Sequence, residues 1–157
     1  ADLMSVHGMG SGAMLAACRE GAEEAAEVTG SRPQLVAITV LTSMSQDSLT
    51  EIGIDSPIPV EADRLARLAR ENGIDGVVCS PQEAGAMRSV VGDEGLVVTP
   101  GVRPAGAALG DQTRVATPSS AFKAGSSHIV VGRPITGAES PVDAYEAIIA
   151  ELCSMDD

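Results

Sequence analysis

Two arginines stand in settings that suit anion chemistry. Arg103 closes the stretch Thr99-Pro100-Gly101-Val102-Arg103, and Arg133 lies within Gly132-Arg133-Pro134. Each stretch follows an apolar, valine-rich run: Leu96–Val98 before the first and Ile129–Val131 before the second. The neighbouring glycines carry no Cβ, so backbone N–H groups there can come close to a ligand. A guanidinium offers a planar fork that pairs bidentately with phosphate oxygens. Gln112 adds an amide donor between the two stretches. Gly-Arg-Pro by itself is also an ordinary surface turn. Two such motifs after consecutive apolar runs point instead to a phosphate or phosphate ester.

The rest of the chain sharpens that reading. Acidic side chains outnumber basic ones 22 to 10, for a formal charge of −12. Such a surface repels nucleic acid and anionic lipid, so neither is an expected partner. A phosphate ligand would need a local cationic pocket against this background. The only lysine is Lys123, in Ala121-Phe122-Lys123-Ala124-Gly125. A cation near a helix C-terminus is most simply a surface residue that compensates the helix dipole. Cys18, Cys79 and Cys153 have no metal-ligand spacing, and His7 has no second ligand nearby. No metal is therefore expected. An odd, unclustered set of cysteines fits a reduced, cytoplasmic protein. No apolar run reaches the length of a membrane span. With one Phe, one Tyr and no Trp, the core must be aliphatic.

Five apolar runs must position these groups: Leu3–Val6, Leu35–Leu41, Gly76–Cys79, Leu96–Val98 and Ile129–Val131. They are continuous rather than alternating, which predicts parallel strands covered on both faces. Helical patterns separate them. Ala13 to about Val28 is rich in Ala and Glu, and reads as a helix with a solvated acidic outer face. Val60–Asn72 places Leu65, Leu68 and Ala69 on one side, and Gly73 supplies a stop. Ser80-Pro81-Gln82-Glu83 has the form of a capping box with proline at the first helical position. Thr117-Pro118 and Ser140-Pro141 repeat the same kind of start. The long loop Ser43–Pro59 has room for a short helix near Asp47–Ile52.

This β-α alternation predicts a parallel α/β sheet with right-handed crossovers, residues 1–157 forming one domain. Five units are too few to close an eight-stranded barrel. The sheet is either open or part of something larger. In an open sheet the ligand sits at a switch in strand order, and in a barrel phosphate is held by the loops after the last two strands. Arg103 and Arg133 follow the last two runs.

Four stretches carry a family resemblance: Ala37–Met44 (AITVLTSM), Gly73–Ala84 (GIDGVVCSPQEA), Leu96–Pro118 and Ile129–Ile148. In order and spacing they resemble orotidine 5'-phosphate decarboxylase, from residue 1 to about Leu152. The resemblance implies a (β/α)8 TIM barrel, present here as a partial barrel of about five parallel strands, the fourth to the eighth, with the N-terminal three absent. It implies a carboxy-lyase that converts orotidine monophosphate to UMP and CO2 in pyrimidine synthesis, without metal or cofactor, as a homo-oligomer. Carried over residue by residue, it makes Thr42 a pyrimidine contact and Arg103 a ligand-binding arginine. Gln112 becomes the bridge between phosphate and base on a closing loop, and Gly132 and Arg133 the phosphate clamp. Ser43 is a weaker candidate for the pyrimidine contact. His7 is expected to be structural, although sister barrels place a histidine at this strand near the substrate.

One departure matters more than the matches. The family's chemistry rests on an Asp-x-Lys-x-x-Asp motif, and no such motif occurs in this sequence. No catalytic residue is expected in this chain, and by itself it is expected to be inactive, with self-association or a missing N-terminal half at its open edges. Two alternatives stay open: a non-catalytic α/β module that binds a nucleoside monophosphate or phosphate, and a sister sugar-phosphate lyase such as hexulose-phosphate synthase.

Overall fold

The computed structural model of the protein describes residues 1–104 and 116–154. Its sheet has five parallel strands in the order of the sequence: β1 (Leu3–His7), β2 (Gln34–Ile38), β3 (Gly76–Val78), β4 (Leu96–Pro100) and β5 (His128–Val130). All five fall on the apolar runs. The sheet-binding helices are α1 (Gly12–Thr29), α3 (Ile58–Glu71), α4 (Ala84–Val91), α5 (Pro118–Lys123) and α7 (Pro141–Cys153). Two short helices lie in loops: α2 (Gln46–Glu51) within the long polar loop, and α6 (Arg133–Thr136) directly after β5.

The strand order answers the question of open sheet or barrel. A doubly wound sheet reverses its order part-way and so gains helices on both faces. Here each strand pairs with the one before it, from β1·β2 through β4·β5. Right-handed crossovers between sequential neighbours put every helix on the same face. The sheet has no switch point. It is an arc of a singly wound barrel.

Register shows which residues face the helices. Ala37, Val77 and Val97 share one face. There Val77 and Val97 join Ala62, Leu65 and Met87 of α3 and α4 in the main core, while Ala37 joins Leu15 of α1 and Ala69 of α3. Val36, Gly76 and Leu96 share the opposite face. There Val36, Leu96 and Val98 pack on one another with Val78 and no helix residue. Coverage on both faces is thus not what the arc shows. Its concave face is lined by its own side chains, and edge residues such as Leu3, Met4 and Val130 are exposed. The continuous apolar runs reflect a face reserved for barrel interior rather than for helices.

Caps set the helix starts. Ser11 accepts from the Met14 N–H, Ser45 from Ser48, Thr117 from Ser120 and Ser140 from Asp143. At Ser80–Glu83 the outcome differs from the expected capping box. The Glu83 carboxylate does accept the Ser80 N–H at 3.2 Å, but Ser80 Oγ accepts from Gln82 rather than Glu83. Glu83 N–H bonds to the Ser80 carbonyl and Ala84 N–H to that of Pro81, so a tight turn of the 3-10 type precedes the α-helix. The helix therefore begins at Ala84 and not at Pro81.

Candidate functional site

All strands being parallel, their C-terminal ends lie on one rim, where the β-to-α loops gather. On that rim Leu41–Met44 forms a turn closed by the Met44 N–H on the Leu41 carbonyl, at 3.0 Å. It tucks Thr42 inside, 7% exposed, and leaves Ser43 exposed. Thr42 and Ser43 line a cavity of about 240 Å³ with Ile38, Val40, Val78, Cys79 and Pro100. The ends of β2, β3 and β4 all contribute. An apolar slot with one or two hydroxyls at its mouth suits a flat heterocycle with a few polar edges.

Beside it, β4 runs into the first arginine stretch. Gly101 has φ 77°, a left-handed turn that favours glycine and sends the chain sharply off the strand end. Val102 then bridges Ala116 in parallel, and Arg103 N–H donates to the Ala116 carbonyl at 2.9 Å. These contacts bring together the described residues on either side of 105–115. Arg103 is only 7% exposed, and one guanidinium nitrogen donates to the Val102 carbonyl at 2.9 Å. A guanidinium carries five N–H donors, so this bond leaves the fork able to serve a further acceptor. Gln112 lies outside the described residues.

The pairing Val98↔His128, Thr99↔Ile129, Pro100↔Val130 sets the ends of β4 and β5 side by side. A buried hydrogen bond of 2.9 Å between the Thr99 and Ser126 hydroxyls, and the Ser127 N–H on the Val97 carbonyl, help fix this register. The second arginine stretch thereby emerges next to the first. Both Gly132 and Arg133 are exposed. A Cβ placed on Gly132 would meet nothing within 4 Å, so the space beside its backbone is open. Arg133 is not in a loop, as the Gly-Arg-Pro turn suggested. It is the first residue of α6, with Pro134 behind it. The preference of proline for the first helical turn was the available signal for this helix.

Thus the rim brings Thr42 and Pro100 to one cavity and places the Arg103 and Gly132–Arg133 stretches on adjacent strand ends. Lys123 is elsewhere. It ends α5, which leads into the N-terminal end of β5, so it sits at the rim opposite to the candidate site. His7, at the end of β1, is exposed, and Cys79 is buried just beyond β3. Among the described residues no group of three or more His, Cys, Asp or Glu is placed to hold a metal ion. No described helix is long and apolar enough to cross a membrane.

Sequence reasoning missed Glu61. It lies on α3, is 1% exposed, and pairs with Arg64 at 2.6 Å through one oxygen. Its other oxygen, Oε2, is buried without a hydrogen-bond partner. Glu61 lines a larger cavity of about 520 Å³ along α3 with Ile54, Leu65 and Leu68, and with Met9 and Gly10 just beyond the end of β1. Glu61 stands four, seven and eight residues before Leu65, Leu68 and Ala69, so helical spacing puts it on their side of α3, and only its charged residue type hid its burial.

The fold and its rim define a class: a singly wound parallel β/α barrel arc with glycine- and arginine-bearing stretches after its last two strands. The particular family follows from comparison with known proteins. The sequence pattern of the Orotidine 5'-phosphate decarboxylase / HUMPS family matches residues 1–148. The chain belongs to that family. It is 49% identical over 155 residues to the orotidine 5'-phosphate decarboxylase of Alkalilimnicola ehrlichii, covering 99% of this chain and 64% of that one. It is 51% identical over 152 residues to the protein of the same name from Halorhodospira halophila, covering 97% and 63%. Among solved structures, orotidine 5'-phosphate decarboxylase from Lactobacillus acidophilus superposes with a TM-score of 0.76 at 40% identity, covering 94% of this chain and 61% of that one. The chain thus spans a little under two thirds of the length of these relatives.

Proposed function

We propose that the chain is the ligand-gripping part of an orotidine 5'-phosphate decarboxylase barrel, which converts orotidine monophosphate to UMP and CO2. The observation that carries this is the shared rim. Thr42 borders a slot sized for a pyrimidine, while Arg103 and Gly132–Arg133 leave adjacent strand ends with the chemistry of a phosphate clamp. Thr42 contacts the base, Arg103 and Arg133 hold the ligand's phosphate side, and the Gly132 N–H reaches a phosphate oxygen. Gln112 completes the grip from segment 105–115.

The reaction must protonate the carbon that loses CO2, and the family's lysine for that step has no counterpart in this sequence at the rim. Its single lysine is at the opposite end. The proton donor and the carboxylates around it come from further β/α units of the barrel, which also complete the homo-oligomeric enzyme. Remote phosphate binding contributes energy that is used at the reacting carbon, but only where the reacting groups are present. Cys18, Cys79 and Cys153, none of them in a disulfide, suit a reducing, cytoplasmic setting.

The lack of the Asp-x-Lys-x-x-Asp motif favours one second reading, a binding module for nucleoside monophosphates that performs no chemistry. Decarboxylation of orotidine monophosphate separates the two. It is assayed with the chain alone and with the chain joined, in native order, to the part of the Alkalilimnicola relative that it does not match. Activity in the joined protein that falls at least a hundredfold on Arg133→Ala supports the enzyme reading. Turnover by the 157-residue chain alone would contradict the assignment of the chemistry to further units. No turnover by a folded joined protein that still binds UMP would favour the module.

A further inference from the structure

The two arginine stretches reach the rim together only while β4 and β5 keep one register. β5 is three residues long and pairs with β4 alone among the described strands. Hydroxyl groups reinforce this short join. At the entry to β5 the Val97 N–H donates to Ser127 Oγ at 2.9 Å, and the Ser127 N–H and hydroxyl return to the Val97 carbonyl at 2.9 and 3.2 Å. Nearer the rim, the buried Thr99 and Ser126 hydroxyls meet at 2.9 Å, and Thr99 Oγ1 also lies 3.4 Å from the His128 carbonyl. The Ser126 N–H donates to the Ala121 carbonyl at 3.1 Å, so the same residue is tied to α5. From Thr99 the chain runs through the Gly101 turn to Arg103, and from Ser126 it runs through β5 to Gly132 and Arg133. The hydroxyl pair thus stands at the common root of both stretches.

We propose that Thr99 is a positioning residue for the phosphate clamp, and that its bond to Ser126 sets the spacing of Arg103 and Arg133. Thr99 follows Val97 by two residues, so its side chain lies on the helix face of the sheet, away from the concave face, and acts without touching the ligand. Valine has nearly the same shape as threonine, so filling the core does not call for a hydroxyl at this place. A hydroxyl does add a directed bond between the two strands. Charge-assisted bonds to phosphate have a narrow working length of ~2.7–2.9 Å, and a clamp whose supports slip by a fraction of an ångström loses them. The proposal rests on the reading of the rim as a ligand grip, in which the two arginine stretches work together.

The test is NMR titration of the 157-residue chain with UMP and with uridine, which lacks the phosphate and reports the base side alone. Thr99→Val, Thr99→Ser, Ser126→Ala and Thr99→Val combined with Arg133→Ala are compared with wild type. UMP binding should weaken about fivefold or more in Thr99→Val and Ser126→Ala, while uridine binding stays within about twofold. Thr99→Ser keeps the hydroxyl and should restore UMP binding to within about twofold of wild type. Once Arg133 is alanine, Thr99→Val should cost little more, because the residue it positions is gone. Equal weakening of UMP and uridine would make Thr99 a structural residue only and overturn the proposal. Full additivity of Thr99→Val with Arg133→Ala would overturn it too. If Thr99→Val does not fold, Ser126→Ala removes the same bond from the other side and decides. UMP binding that falls on Arg133→Ala but not on Thr99→Val or Ser126→Ala keeps the clamp and removes this role alone. A wild-type chain that binds UMP no better than uridine removes the clamp and this role with it.

Discussion

Asp75 holds the rim opposite the candidate site, and its replacement by Asn gives a direct measure of what that end contributes. Asp75 precedes β3 and accepts four hydrogen bonds. Arg32 grips both its oxygens at 2.8 Å each, Arg19 reaches Oδ1 at 3.1 Å, and the Leu35 N–H donates to Oδ2 at 2.7 Å. One carboxylate thereby ties α1, the entry to β2 and the entry to β3. Asn keeps one acceptor oxygen but turns an NH2 toward a guanidinium and removes the charge. Hydrogen bonds to a charged group contribute about 1.5–3 kcal/mol each when buried, and the partial exposure of these side chains, 17% for Asp75 and 27–29% for the arginines, reduces that figure. A net loss of about 2–3 kcal/mol follows, which lowers the unfolding midpoint of a chain this size by roughly 5–10 °C.

The pH dependence gives the sharper check. Burial by itself would raise the Asp75 pKa. The Arg32 and Leu35 hydrogen bonds and the charges of Arg32 and Arg19 outweigh it and hold the carboxyl below its ordinary value. A depressed folded-state pKa stabilises fully above the unfolded value of about 3.9 and is lost as pH falls through the folded value. The gap between wild type and Asp75→Asn, followed by calorimetry, should be constant from pH 7 to 5 and close below about pH 4. Asp63→Asn breaks the exposed Asp63–Arg67 pair and is the control. A gap no larger than the control's, or one that persists in acid, would refute the reasoning.

Three further outcomes follow from single contacts. A Cβ on Gly76 would lie 2.2 Å from the Leu96 carbonyl oxygen and 2.4 Å from its Cβ. Gly76→Ala must therefore spread β3 from β4 and should destabilise by about 3 kcal/mol or more, read by urea unfolding; a near-neutral result contradicts the packing. Gly132→Ala meets no atom within 4 Å, but its backbone at φ −100° and ψ −95° lies outside the ordinary helical region, so it should cost only about 1 kcal/mol in thermal unfolding while UMP binding weakens at least tenfold. Equal binding by this variant would remove Gly132 from the phosphate clamp. Glu61→Met keeps volume and removes a buried oxygen without a partner, and should leave stability unchanged or raise it by about 1 kcal/mol. A clear fall in melting temperature would mean that the carboxylate has a role its contacts do not reveal.

What the sequence disclosed and what it withheld differ for physical reasons. The β-branched runs at Leu35–Leu41 and Gly76–Cys79 and the Ser/Thr-Pro starts are local signals, and the strands and most helices form where they point. Strand order is not local. Whether the uncovered face of Val36 and Val98 meets helices or a barrel interior depends on pairing that no short window contains. The Ser80–Glu83 turn shows the limit on a smaller scale, for the expected donors and acceptors are present but pair one residue differently. Toward the candidate site, Arg103 and Arg133 stood out by residue type and by their place after apolar runs, whereas Thr42 came only from the family resemblance. The burial of Arg103 against its own backbone, and α6 beginning at Arg133, depend on how the segment after each strand folds back.

The most direct test of the phosphate grip is calorimetric titration of the 157-residue chain with UMP, repeated on Arg133→Ala. Saturable binding that weakens at least a hundredfold in the variant is the predicted result, close to the loss of one charged bidentate contact. Unaltered binding by Arg133→Ala, or no binding by a folded wild-type chain, would contradict the claim that these two strand ends make a phosphate site.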